Sequence, residues 1–232
     1  MNAPYRPPLT NQISRALMRP VFRGLFHLLA QVTVKGEENV PKGRAYLAVF
    51  NHISTFDPAF TLTFWPENIE ALGAAEIWER KSFGQNLLVR LFGAIPVRRG
   101  AYDRQALERA AHVLNSGYPL LMAPEGGRTH SVAMRQAKPG LAFLVEMTGV
   151  PVVPVGITGT TDDFFRRAMR GEHPALTMTI GQPLTLPPIK GRGETRRAAR
   201  QRNADLVMTH IARLLPEEYR GYYAETTPGA KP

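Results

Sequence analysis

An apolar run gives way to polar residues in the stretch VFNHISTFDPAF, residues 49–60, which holds Asn51, His52 and Asp57. A neutral imidazole accepts a proton from an alcohol, and a carboxylate on its second nitrogen fixes the tautomer and stabilises the imidazolium that forms. Five residues correspond to about 140° around a regular helix. The two side chains therefore meet only where the chain bends, and Asp57-Pro58 marks such a bend. The same dipeptide also fits a helix N-cap followed by proline at the first helical position.

Three further stretches carry groups with a chemical use. In GAIPVRRG, residues 93–100, Arg98 and Arg99 offer guanidinium forks suited to phosphate oxygens, beside a glycine that lets a ligand approach the backbone. A solvated turn also fits that pair. In APEGGRTH, residues 123–130, Glu125, Gly126, Gly127 and Arg128 form a loop whose freed backbone N–H groups could cradle an anion. Two glycines equally suit a tight hairpin turn. The fourth stretch is VPVGITG, residues 153–159, containing Pro154.

The elements that would hold these groups alternate. Strand-like runs cover 32–35, 45–50, 70–75, 95–97, 118–123, 152–157 and 176–180. Helical patterns cover 10–31, 58–65, 82–92, 103–115, 138–148 and 194–215. That alternation predicts an α/β fold, a largely parallel (mixed) central sheet flanked by helices, with functional residues gathered at strand ends. All four stretches lie at such ends. Pro20 is expected to break the first helical region in two or to open its second half.

The first region is amphipathic. Ile13, Leu17, Met18, Val21, Phe22, Leu25, Leu28 and Leu29 fall on one broad arc, and Arg15, Arg19, Arg23 and His27 recur every fourth residue opposite. Two readings fit. The helix packs on the core with a solvated basic face, or it lies in a membrane interface with its arginines near lipid phosphates.

Composition narrows the field. The chain has 29 Lys+Arg against 19 Asp+Glu, a formal charge of +10, which favours anionic partners. With no cysteine it has no disulfide, thiolate metal site or thiol nucleophile. No apolar run approaches the ~20 residues that span a bilayer, and no signal-peptide pattern opens the sequence. No Gly-x-Ser-x-Gly is present, which argues against a serine hydrolase. No aromatic residues interleave a basic patch in the manner of a nucleic-acid binder.

Taken in order, Asn-His-x4-Asp-Pro, Ile-Pro-Val-Arg-Arg, Pro-Glu-Gly-Gly-Arg and Val-Pro-Val-Gly-Ile resemble the glycerolipid acyltransferase family, which includes the 1-acyl-glycerol-3-phosphate acyltransferases. The resemblance spans about residues 34–180. It implies His52 as general base and Asp57 as its partner. The substrate-binding set it implies is Asn51, Arg98, Arg99, Glu125, Gly126, Gly127, Arg128 and Pro154, with Pro154 near the acyl donor. The third motif departs from the family's Glu-Gly-Thr-Arg-Ser, because Gly127 replaces the threonine.

The resemblance further implies a membrane-docking N-terminal segment, residues 1–30, using Arg15, Arg19, Arg23, Phe22 and Phe26. An acyltransferase domain over 31–215 and a tail over 216–232 complete the expected organisation. The expected reaction moves a fatty acyl group from coenzyme A or acyl carrier protein to lysophosphatidic acid. It uses no cofactor, metal or nucleic acid, and takes place on the cytoplasmic face of a membrane without a transmembrane span. An acyltransferase of the same family with another acceptor (an amino lipid, a glycolipid or another lysophospholipid) and a non-catalytic basic peripheral membrane binder are the rival expectations.

Overall fold

The computed structural model describes residues 3–76, 89–98, 103–129 and 131–225. Its strands are β1 (Gln31–Lys35), β2 (Leu47–Phe50), β3 (Glu70–Ala74), β4 (Ile95–Val97), β5 (Leu120–Met122), β6 (Val152–Thr158) and β7 (Ala175–Ile180). They form one sheet in the order β1-β7-β6-β2-β5-β3-β4. The block β6-β2-β5-β3-β4 is parallel, β7 runs antiparallel to β6, and β1 is parallel to β7. The sheet is therefore mixed, as the alternating pattern predicts.

The pleat sends successive side chains to opposite faces. In β2, Ala48 and Phe50 join one core with Phe26, Phe60, Trp65 and Phe164. Leu47 and Val49 join the other with Leu114, Leu141, Leu144 and Met208. The helices sort accordingly. Helices α1 (Leu9–Leu29), α2 (Asp57–Phe64) and α5 (Phe164–Met169) cover the first face. Helices α3 (Arg104–Asn115), α4 (Gly140–Thr148) and α6 (Gly193–Arg213) cover the second. The parallel block brings the loops after β2, β5, β6 and β4 to one end of the sheet.

Helix α1 departs from expectation in two ways. It runs unbroken through Pro20. Proline removes a hydrogen bond to Ala16, but both residues are exposed, so water can satisfy the freed carbonyl. The turns on either side are fastened by arginines that point into the protein.

Arg15 is buried and donates to both carboxylate oxygens of buried Glu70, at 2.6 and 2.9 Å, and to the carbonyl of Phe92. Arg19 reaches the carbonyls of Thr63, Trp65 and Glu67, and Arg23 that of Thr63. Phe26 is buried among Phe60, Phe64 and Phe164, and Phe22 packs against the same core. The expected lipid contacts of Arg15 and Phe26 are thereby corrected, since both are enclosed by protein. The side facing solvent carries Leu9, Ile13, Leu17, Val21, Leu25 and Leu28.

The expected tail is also corrected in part. Residues 216–225 return to the domain through α7 (Glu217–Arg220), and the buried Tyr223 hydroxyl donates to Asp205 and accepts from the Ala137 N–H. The helix expected over 82–92 lies largely outside the described residues.

Candidate active site

The loop after β2 turns back on itself, and Asp57 makes it do so. As the first residue of α2, Asp57 does not cap the helix that follows. Its Oδ2 instead accepts from the backbone N–H groups of Ile53 and Ser54, at 2.7 and 2.8 Å, and stands 2.8 Å from His52 Nδ1. The bend needed to join residues five apart is thus built by the carboxylate itself. Thr160, in the loop after β6, donates its hydroxyl to the other oxygen, Oδ1. Asp57 and Thr160 are fully buried.

His52 sits against the edge of Phe50 and is 8% exposed. With Nδ1 held by a carboxylate, that nitrogen carries the hydrogen and Nε2 is left as the acceptor. Nε2 has no hydrogen-bond partner among the described residues. The main chain of His52 is held on both sides by the loop after β5. Its N–H donates to Glu125 Oε1 at 2.9 Å, and its carbonyl accepts from the Thr129 N–H at 3.0 Å.

Glu125 therefore plays a part the sequence did not indicate. It is buried, and its second oxygen accepts from the Arg135 N–H at 2.9 Å. Burial raises its pKa above the ordinary carboxylate value, against the lowering effect of those two N–H donors. A carboxylate so enclosed positions two segments of chain and presents nothing to an anionic ligand.

Asn51 and Pro154 are likewise internal. The Asn51 amide donates to the Ile157 carbonyl at 2.9 Å and accepts from its N–H at 2.7 Å, joining the end of β2 to the end of β6. Pro154 is buried within β6, opposite Val49, with its ring toward Gly181. Asn51, Glu125 and Pro154, expected to touch substrate, are here buried and engaged within the protein.

The cations that reach the surface are elsewhere. Arg98 is exposed at the end of β4, where its N–H donates to Asp103, the cap of α3. Strand β4 stands three places from β2, roughly 14 Å at the usual strand spacing. Arg128 pairs with Asp162 at 2.9 Å, and Arg135 donates to the carbonyls of Gly127 and Arg128. Gly126 lies beneath Lys138. Gly127 has φ +157°, a conformation that side chains rarely adopt, although a Cβ there would find ordinary room beside Arg135. The loop thus uses the glycine's backbone freedom where the family pattern has a threonine. Arg99 lies outside the described residues.

Sequence reasoning missed Thr160, Arg135 and the true work of Glu125. Thr160 is 103 positions from Asp57, and no local spacing links them.

The acyltransferase family model matches residues 31–158. The 1-acyl-sn-glycerol-3-phosphate acyltransferase alpha of Mus musculus is 26% identical over 168 residues, 71% of this chain and 57% of the relative. The 1-acyl-sn-glycerol-3-phosphate acyltransferase of Borreliella burgdorferi is 30% identical over 139 residues, 59% and 54% of the two chains. This chain spans little more than half the length of these curated relatives. A solved structure, the 1-acyl-sn-glycerophosphate (LPA) acyltransferase PlsC from Thermotoga maritima, shares the fold with a TM-score of 0.58. It is 23% identical, with 85% of this chain and 80% of that one covered. The matched stretch covers more than half of the sequence and contains the His52–Asp57 loop, and on that ground the chain belongs to the acyltransferase family.

Proposed function

We propose that the protein transfers a fatty acyl group from an acyl thioester, on coenzyme A or acyl carrier protein, to the free hydroxyl of lysophosphatidic acid, giving phosphatidic acid. The observation that carries this reading is the orientation of His52. Its Nδ1 is held by buried Asp57, while Nε2 lacks a partner among the described residues at the end of the sheet. Such a nitrogen takes the acceptor's hydroxyl proton as the oxygen attacks the thioester carbonyl, and Asp57 stabilises the imidazolium. The thiolate leaves and regains a proton, so no acyl-enzyme and no metal are required. Family membership and the names of the relatives support the reaction class.

Arg98 and Arg128 are the cations suited to the acceptor's phosphate. Arg128 would exchange or share its exposed partner Asp162. Arg98 lies about three strand spacings from β2, a gap bridged by a long side chain and a glycerol phosphate together. Gly127 keeps a second acceptor in view, another lysolipid, since it lacks the hydroxyl of the family pattern.

The reaction would take place at a membrane surface, on its cytoplasmic side, with α1 as the contact. No helix among the described residues is long and apolar enough to cross a membrane. Six apolar side chains recur along the outer side of α1 over its 21 residues, about 30 Å of helix, and an interfacial helix buries such a stripe. The test is turnover of acyl-coenzyme A with a panel of lysolipids, read by mass spectrometry. Phosphatidic acid should form, and His52→Ala should lower the rate by about 10²–10⁴-fold with the circular dichroism unchanged. A folded His52→Ala protein of normal activity would refute the assignment.

A further inference from the structure

Asp57 receives donors unequally. Oδ2 takes three: His52 Nδ1 and the N–H groups of Ile53 and Ser54. Oδ1 has a single donor among the described residues, the Thr160 hydroxyl. All the donors to Oδ2 come from the carboxylate's own loop. Thr160 is the contact from another element among the described residues, and it holds the second oxygen.

The local chain is built to deliver this hydroxyl. The Asn51 amide joins the end of β6 to the end of β2 three residues earlier, through Ile157. Gly159 then turns at φ +86°, where a Cβ would lie 1.9 Å from the carbonyl oxygen of Ala175, so no other residue fits. Its N–H is held by the Tyr219 hydroxyl at 3.2 Å. Beyond Thr160, Phe164 is buried against Phe26 and Phe56. Thr160 itself is fully buried, and nothing but Asp57 accepts from its hydroxyl among the described residues. It also lies just past the matched stretch 31–158.

We propose that Thr160 is a positioning residue of the reaction, orienting the Asp57 carboxylate so that Oδ2 stays on His52 Nδ1 and Nε2 stays aimed at the acceptor hydroxyl. The inference rests on the proposed roles of His52 and Asp57. It concerns proton transfer and not binding, because Thr160 has no exposed surface to offer a substrate. Loss of a hydrogen bond to a buried charged group should slow turnover roughly 10- to 100-fold.

The experiment compares Thr160→Val, close in shape, with Thr160→Ser, which keeps the hydroxyl. Turnover is measured with acyl-coenzyme A and lysophosphatidic acid. In Thr160→Val, kcat should fall at least about tenfold while KM for both substrates stays within about twofold of the parent. Thr160→Ser should recover most of kcat. In an Asp57→Ala background, Thr160→Val should cost less than about twofold more, because residues acting through one another are not additive. Thermal melts of each variant check the fold, and if Thr160→Val does not fold, the serine variant and Thr160→Ala carry the same comparison. Normal kcat in a folded Thr160→Val protein would overturn the proposal, as would equal loss in the serine variant or full additivity with Asp57→Ala. If His52→Ala keeps its activity, the general-base reading fails first. If His52→Ala is inactive and Thr160→Val is normal, only the inference about Thr160 fails.

Discussion

Replacing Arg15 by alanine should loosen the protein far from the His52–Asp57 pair. The side chains of Arg15 and Glu70 are 5% and 2% exposed, and two hydrogen bonds of 2.6 and 2.9 Å join them in a fork. A third bond runs from Arg15 Nε to the Phe92 carbonyl at 2.9 Å. Arg15→Ala removes all three and leaves the Glu70 carboxylate buried without its counter-charge at the start of β3. Breaking such a pair from one side costs about 3–5 kcal/mol. In a domain of this size each kcal/mol is worth about 2–4 °C of melting temperature, so a fall of about 6–20 °C is expected. The measurement is urea and thermal unfolding followed by circular dichroism and tryptophan fluorescence. A double variant, Arg15→Met with Glu70→Leu, fills the space without charge and should recover much of the loss. If Arg15→Ala stays within about 1 kcal/mol of the parent, or if the apolar pair is no more stable than the single variant, the ion pair is not what fastens α1 to the sheet.

Glu125→Gln should destabilise by about 1–3 kcal/mol, because an amide offers one acceptor to the two N–H groups of His52 and Arg135 and sets an NH₂ against the other. Burial raises the Glu125 pKa, so ionising it costs the folded protein stability, and the parent should lose stability relative to the variant as pH rises from the unfolded value through the folded one. The stability difference between parent and variant, followed against pH in urea, should shrink through that window, and a flat difference would refute it. Leu17→Asp with Leu25→Asp should reduce vesicle flotation strongly, and parent binding should persist on zwitterionic vesicles and depend weakly on salt. The arginines of α1 bond to the protein, which leaves apolar burial as the source of affinity. Loss of binding at moderate salt would refute this reading.

The alternation of strand and helix was readable because buried parallel strands are short apolar runs and their crossover helices are amphipathic. The His52–Asp57 pair was readable because its members share one loop. The orientation of α1 was not. Periodicity defines two faces without saying which one the protein covers, and three arginines found carbonyls and a carboxylate contributed by residues 63–92. Glu125, Asn51 and Pro154 show a related ambiguity. A motif marks positions that matter, yet a side chain used to hold the backbone looks the same in sequence as one that touches substrate. Only the hydrogen-bond partners, His52 and Arg135 for Glu125 and Ile157 for Asn51, separate the two uses.

Strand order also has a consequence for the sequence of events during synthesis. Among the described residues β1 pairs with β7 alone, its Lys35 opposite Thr179, and Asp57 waits for Thr160. A ribosome that has made the first half of the protein has therefore released β1 and the His52 loop before β7 and Thr160 exist to receive them, whereas α1 already has α2 and Glu70 to pack on. Contacts this distant in the chain form late and slowly. Through that interval the outward leucines of α1 are already complete as a stripe, because they need no partner from the sheet. If α1 is the membrane contact proposed above, the nascent chain carries its lipid-facing stripe before Thr160 reaches Asp57, and address precedes activity in the order of translation.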